Sequence, residues 1–307
     1  MLHFLPAPLI GAIASILMLL NILLWVPILL LVSTIKLLLP FKRVRLLIDP
    51  QLLRIAEAWI AGNSGWMRLT QQLNWEISGI DTLSRQQWYL VVCNHQSWVD
   101  ILVLQHVLNR RIPLLKFFLK KELIWVPIMG LAWWALEFPF MRRRSEAYLK
   151  QHPEERGKDA ATTRAACEKY ALIPTSVMNF LEGTRCTPAK QQHQQSPYQH
   201  LLKPKAGGVT LALEAMGEKF GAVLDITLIY PAGIPNFWEF LQGNVPKVIV
   251  QARTLPVPPL QALPAQRSEQ WLRDACHLWV NQLWAEKDLQ ISKTLIKLTS
   301  SPYRSLI

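Results

Sequence analysis

WYLVVCNHQSWVDILVLQHVL, residues 88–108, decides the fold. Its first six residues, WYLVVC (88–93), are apolar, aromatic and β-branched, as in a buried strand. Its last eight, ILVLQHVL (101–108), read as a helix. A strand that passes at once into a helix is the opening half of a βαβ unit, and the alternation continues along the chain. ALEFPFM (135–141) reads as a strand, KDAATTRAACEKYAL (158–172) as a helix, SVMNFL (176–181) as a strand and GGVTLALEAMGEKF (207–220) as a helix. AVLDITLIY (222–230) and KVIVQAR (247–253) are strands, and SEQWLRDACHLWVNQLWAEKD (268–288) is a long amphipathic helix. Upstream, residues 50–75 show helical spacing broken near Gly62 and Gly65. The Gln-rich stretch 189–205 reads as a polar loop. The pattern predicts an α/β fold, a mainly parallel central sheet flanked by helices.

The N-terminus adds a membrane segment. From Leu9 to Ile35 there is no charged residue, and roughly 20 apolar residues suffice to cross the hydrocarbon as a helix. Pro27 divides the run, so the expectation is either one membrane helix or a helical hairpin that re-enters the same leaflet. Lys36, Lys42, Arg43 and Arg45 follow at once, which predicts a cytoplasmic location for everything beyond them. The organisation is then a membrane-anchoring segment, 1–45, and an α/β domain, 46–307. A second apolar stretch, 123–141, contains only Glu137 as a charge and includes Trp125, Trp133 and Trp134. It reads either as an interfacial wall beside the active site or as a core helix followed by a strand.

Composition excludes some classes. With 51% hydrophobic and 18% charged residues the chain is too apolar to be disordered. Thirty-three Lys and Arg against 21 Asp and Glu give +12, which makes anionic lipid, phosphorylated substrates and nucleic acid the candidate partners. A basic, membrane-tethered RNA-binding or regulatory protein has charge alone in its favour, because the aromatic residues lie in apolar runs and no nucleic-acid motif is present. Cys93, Cys167, Cys186 and Cys276 lack metal or redox spacing, so they read as free thiols and no metal site is expected.

Two motifs carry chemistry. In NHQSWVD, Asn94 to Asp100, a histidine and an aspartate stand five apart at a strand–helix junction. His95 can take a proton from an alcohol, and Asp100 can fix its tautomer and stabilise the imidazolium. Ser97 and Asp100 also have the spacing of a capping box, and one role does not exclude the other. There is no G-x-S-x-G elbow, and Cys93 ends an apolar strand, so the nucleophile should be the substrate's own hydroxyl. In FLEGTR, Phe180 to Arg185, Gly183 allows close backbone approach, Thr184 offers a hydroxyl and Arg185 a bidentate phosphate grip. A surface turn held by a Glu182–Arg185 pair is the competing reading. FPFMRRR, 138–144, adds three arginines.

NHQSWVD followed by FLEGTR resembles the glycerolipid acyltransferase superfamily, and most of all its 1-acylglycerol-3-phosphate and lysocardiolipin branch. The resemblance runs from about residue 85 to 230. It implies a membrane-bound O-acyltransferase that moves a fatty acyl group from a thioester to lysophosphatidate, giving phosphatidate, with lysophosphatidylglycerol or lysocardiolipin as other acceptors. His95 would be the general base and Asp100 its orienter. Glu182, Gly183, Thr184 and Arg185 would hold the glycerol phosphate, joined by Arg142 from Phe140-Met-Arg142 and by Lys205 of KPKAGG (203–208). AVLDITLIYP (222–231) stands in the place of the fourth family block. The donor would be acyl-CoA or acyl-acyl carrier protein, with no other cofactor. The partners would be anionic membrane lipids and acyl carrier protein, at the cytoplasmic face of a bacterial inner membrane.

Overall fold

Two long helices open the chain in the computed structural model, which describes residues 4–39, 41–141, 173–258 and 269–300 together with Leu2, Gln151, His152, Ala161 and Tyr170. Helix α1 (Ala7–Leu38) and helix α2 (Lys42–Thr70) form an antiparallel pair. α1 continues through Pro27, so the apolar run is one helix, and the hairpin it makes is with α2. α2 likewise continues through Gly62 and Gly65, where the sequence predicts a break. The reason lies across the pair: a Cβ at Gly62 would collide with the Asn21 carboxamide. That carboxamide donates to the Trp59 carbonyl and to Asn63 Oδ1, both at 2.9 Å. Gly62 marks a close helix crossing and not a helix end.

The chain then gives β1 (Asn74–Ser78), β2 (Trp88–Cys93), helix α3 (Val99–Leu108), β3 (Leu115–Phe117), β4 (Leu119–Lys120), helix α4 (Met129–Ala135) and β5 (Phe140–Met141). After these come β6 (Ser176–Phe180), a helix Gly207–Met216, β7 (Phe220–Ile229), a short helix Phe237–Leu241, β8 (Lys247–Leu255) and the long helix Glu269–Ser300. The strand expected over 135–141 shrinks to β5 because Glu137 turns into the left-handed region, φ +58°, and Pro139 offers no N–H. The Gln-rich stretch is not all loop, since Pro188–His193 is helical and Thr187 caps it, accepting from Lys190 N at 3.3 Å. The helix read at 158–172 lies outside the described residues apart from Ala161 and Tyr170.

Six strands make one sheet in the order β1-β8-β7-β2-β6-β3, and β4 and β5 form a parallel pair apart from it. Every neighbouring pair in the large sheet is parallel except β7 and β8, which run antiparallel. The sheet is covered on both faces, which is why β2 is a continuous apolar run with no polar alternation. Tyr89, Val91 and Cys93 join the core beneath α1, α2 and α3, while Leu90 and Val92 join the core beneath Gly207–Met216 and the C-terminal helix. α3 leaves β2 on one face and Gly207–Met216 leaves β6 on the other. Departures to opposite faces open a crevice at the carboxyl ends of the strands, where open α/β sheets bind ligands.

Candidate active site

Three neighbouring parallel strands end at that crevice. His95 follows β2, Glu182 follows β6 and Tyr230 follows β7. The turn out of β2 is set by Asn94, which is fully buried. Its carboxamide donates to the Leu228 carbonyl and accepts from Leu228 N, both at 2.9 Å, so the side chain imitates one more rung of the β2–β7 ladder.

His95 Nδ1 lies 2.8 Å from Asp100 Oδ2. The same oxygen accepts from Gln96 N at 2.6 Å and Ser97 N at 2.9 Å. Asp100 sits in the first turn of α3, where the helix dipole favours a negative charge. The capping contact and the histidine contact expected from the sequence therefore coexist on one oxygen. Ser97 Oγ completes the turn by donating to the Pro235 carbonyl at 2.6 Å. Asp100 Oδ1 accepts from the Tyr230 hydroxyl at 2.6 Å. The His95 ring stacks on Phe180 with centroids 4.0 Å apart and planes within 15°. Its side chain is 13% exposed, and Nε2 has no hydrogen-bond partner among the described residues. Cys93 is fully buried, and burial pushes its thiol well up, which suits an inert strand residue and no nucleophile.

The FLEGTR loop is fastened to this histidine. His95 N donates to Glu182 Oε1 at 2.9 Å, and Cys186 N donates to the His95 carbonyl at 2.7 Å. Gly183 takes φ +66°, a conformation that favours glycine, and Lys205 Nζ would lie 3.6 Å from a Cβ placed there. Thr184 Oγ1 accepts from Lys190 Nζ at 2.7 Å, and Lys190 also donates to the Arg185 carbonyl at 3.0 Å. The exposed Arg185 guanidinium lies 5.0 Å over the Trp98 ring. Lys205, Lys190 and Arg185 thus surround Gly183 and Thr184 with positive charge. Arg142 lies outside the described residues.

Glu182 differs from its neighbours. It is fully buried, and its second oxygen accepts from Leu202 N at 3.3 Å, so it braces two backbone segments, at His95 and at Leu202, and is closed off from solvent. Burial pushes its carboxyl up to about 8 from an ordinary 4.5, against the His95 and Leu202 amides, which pull it down. The folded state then holds a proton that the unfolded chain releases, so this group's contribution to stability is complete below pH 4.5 and lost as pH rises through about 8. Glu182→Gln should remove that dependence. In chemical denaturation from pH 5 to 8.5, wild type should lose stability relative to the variant as pH rises, and a constant gap would contradict this.

Asn94, Tyr230, Phe180 and Lys190 are the contributors to which the sequence assigned no role. Lys190 had a signal, being a lysine three residues after a Thr-Pro helix start just beyond the motif. Tyr230 had none.

A histidine–carboxylate pair at the carboxyl end of a parallel strand, beside a cationic loop, is a site for transfer to a hydroxyl. Residues 74–234 match the family described as Acyltransferase, and the chain belongs to that family. It is 27% identical over 220 residues to Lysocardiolipin acyltransferase 1 of Gallus gallus, covering 66% of this chain and 53% of that one. It is 28% identical over 211 residues to 1-acyl-sn-glycerol-3-phosphate acyltransferase delta of Mus musculus, covering 65% and 51%. The chain thus spans about half the length of these curated relatives. The 1-acyl-sn-glycerophosphate (LPA) acyltransferase PlsC of Thermotoga maritima superposes with a TM-score of 0.49 at 16% identity, covering 89% of this chain and 97% of that one.

Proposed function

We propose that this acyltransferase esterifies the free hydroxyl of 1-acylglycerol 3-phosphate with a fatty acyl group from a thioester of coenzyme A or acyl carrier protein. The observation that carries the reading is the double fastening of His95 to the Glu182–Cys186 loop, which makes the base and the cationic loop one unit. Arg185, Thr184, Lys205 and Lys190 hold the acceptor phosphate, with Arg142 as a further candidate. His95 Nε2 takes the proton of the acceptor hydroxyl as its oxygen attacks the thioester carbonyl. The C–S bond then breaks, and the imidazolium returns the proton to the departing thiolate. Asp100 holds the Nδ1 proton and balances the transient charge. The acyl group passes directly to the acceptor.

The same reading puts the site at a membrane. α1 is the one helix among the described residues that is long and apolar enough to cross a bilayer. Its outer face presents Ile16, Leu20, Leu24 and Leu31, all exposed. Near one end the Trp238 ring lies against Gly11, and near the other Lys36 pairs with Glu137 at 3.2 Å. Those two points are about 38 Å apart along a helix, so α1 lies along the catalytic body over most of its length. A helix held this way is suited to lie in the lipid interface on its outer face. Trp98, Ile234 and Trp238, each about half exposed, surround the Ser97–Pro235 contact beside α1 and give a lipid acceptor an apolar entrance.

The test is an acceptor panel: purified protein in vesicles, one labelled acyl chain supplied as acyl-CoA and as acyl-acyl carrier protein, and lysophosphatidate, lysophosphatidylglycerol, lysocardiolipin or glycerol 3-phosphate as acceptor. Lysophosphatidate should turn over fastest. Preference for lysocardiolipin would replace the acceptor assignment, and silence with every acceptor and with both donor types would overturn the reading.

A further inference from the structure

Asp100 has two oxygens, and the sequence motif accounts for the donors to only one of them. Oδ2 takes His95 Nδ1 and the amides of Gln96 and Ser97, all from the motif's own loop. Oδ1 takes the hydroxyl of Tyr230, which lies 130 residues away at the end of β7. We propose that Tyr230 is a positioning residue of the acyl transfer: its hydroxyl fixes the rotation of the Asp100 carboxylate and shares its charge, and so sets how strongly Asp100 holds the His95 imidazolium. The inference rests on the catalytic reading of His95 and Asp100.

The geometry leaves the tyrosine little freedom. It is 6% exposed, Pro231 ends the strand directly behind it, and Gly233 N donates to its carbonyl at 3.1 Å in the turn that follows. Burial, and then the Asp100 charge, push the phenol well above its ordinary range, so it stays a donor at every working pH. The groups that face this cluster are the Cys93 thiol from β2, Glu182 from the loop after β6, and Asp225 with Lys287 from the opposite face of the sheet. Cys93 and Glu182 are disfavoured as anions by burial, and Asp225 pairs with Lys287 at 2.6 Å. The Tyr230 hydroxyl is therefore the one adjustable donor to Oδ1 among the described residues.

Removing it has a signed consequence. Without the phenol, all of the Asp100 charge bears on the imidazolium and on two amides. The imidazolium is then held more tightly, and more alkaline solution is needed to free the base. The carboxylate also gains a rotation in which Oδ2 leaves Nδ1.

The experiment is Tyr230→Phe, assayed for kcat and kcat/KM from pH 5 to 9 with the acceptor that wild type prefers, alongside thermal melting. The expected result is a fall in kcat of about 10–100-fold, the worth of a hydrogen bond to a charged group. KM for the acceptor should stay within about threefold, and the acidic limb of the profile should move to higher pH by about half a unit. Installing 3-fluorotyrosine at position 230, a stronger donor, should restore kcat and return the limb to or below its wild-type position. Wild-type kcat and profile in Tyr230→Phe would overturn the inference while leaving the acyltransferase reading intact. A lower melting point with no movement of the limb, not rescued by fluorotyrosine, would overturn it in favour of a packing role. An inactive wild type would instead defeat the underlying reading.

Discussion

Asp100→Asn should lower turnover on the order of 10³–10⁴-fold and leave the chain folded, by the logic of other histidine–carboxylate catalysts. Asparagine can keep its carbonyl oxygen toward Gln96 N, Ser97 N and His95 Nδ1, the three donors that Oδ2 now receives. Its amide nitrogen can donate to the Tyr230 oxygen in place of the bond Tyr230 now gives. The start of α3 is then preserved and the charge is lost. With no anion behind it, the imidazolium formed as the acceptor hydroxyl is deprotonated has nothing to offset it in a largely buried setting. Single-turnover acyl transfer from a labelled thioester, together with circular dichroism melting, separates the two effects. Turnover within tenfold of wild type, with the fold intact, would show that Asp100 is only a cap.

The second large effect concerns stability. Asp225 and Lys287 are both fully buried and 2.6 Å apart. Lys287 Nζ also donates to the Ile226 carbonyl at 2.6 Å and to Thr227 Oγ1 at 3.0 Å. Arg253 approaches the other Asp225 oxygen at 2.7 Å and reaches Glu286 at 3.0 Å. These contacts tie β7, β8 and the C-terminal helix. Lys287→Met fills the volume but leaves the carboxylate one cation short and the Ile226 carbonyl without its ammonium donor. Breaking a buried pair from one side costs about 3–5 kcal/mol, so a loss of that size is expected in urea titration. Adding Asp225→Leu should recover most of it, because Arg253 keeps Glu286 and is partly exposed. A single-variant loss below about 1 kcal/mol would show that the ammonium is dispensable.

What the sequence made legible follows from how local each signal is. β2, its loop and α3 form one contiguous stretch with a strong change of period, so both the elements and the His95–Asp100 pair could be read directly. β1 could not. NWEIS alternates exposed and half-buried residues and gains its order by pairing with β8, some 170 residues later. β3 is three residues long and is defined by β6. The antiparallel sense of β8 is set by its partners, as nothing within KVIVQARTL encodes direction. In the site, the motif loops were legible, but the inward turn of Glu182 was not. A glutamate beside an arginine reads as a surface pair, and only the fold shows its oxygens taken by the His95 and Leu202 amides. Tyr230 was hidden for the same reason as β1, because its partner is distant in the chain.

α1 shares one continuous core with the catalytic body. Ala14, Val26 and Leu29 are fully buried in the same cluster as Val91 of β2 and Phe240 of the segment beside the motif loop. The N-terminal helix is thus no detachable tether. Trimming it would strip the wall from α2 and lay bare the apolar residues of that cluster, so a chain shortened in this way is expected to lose solubility and not gain it.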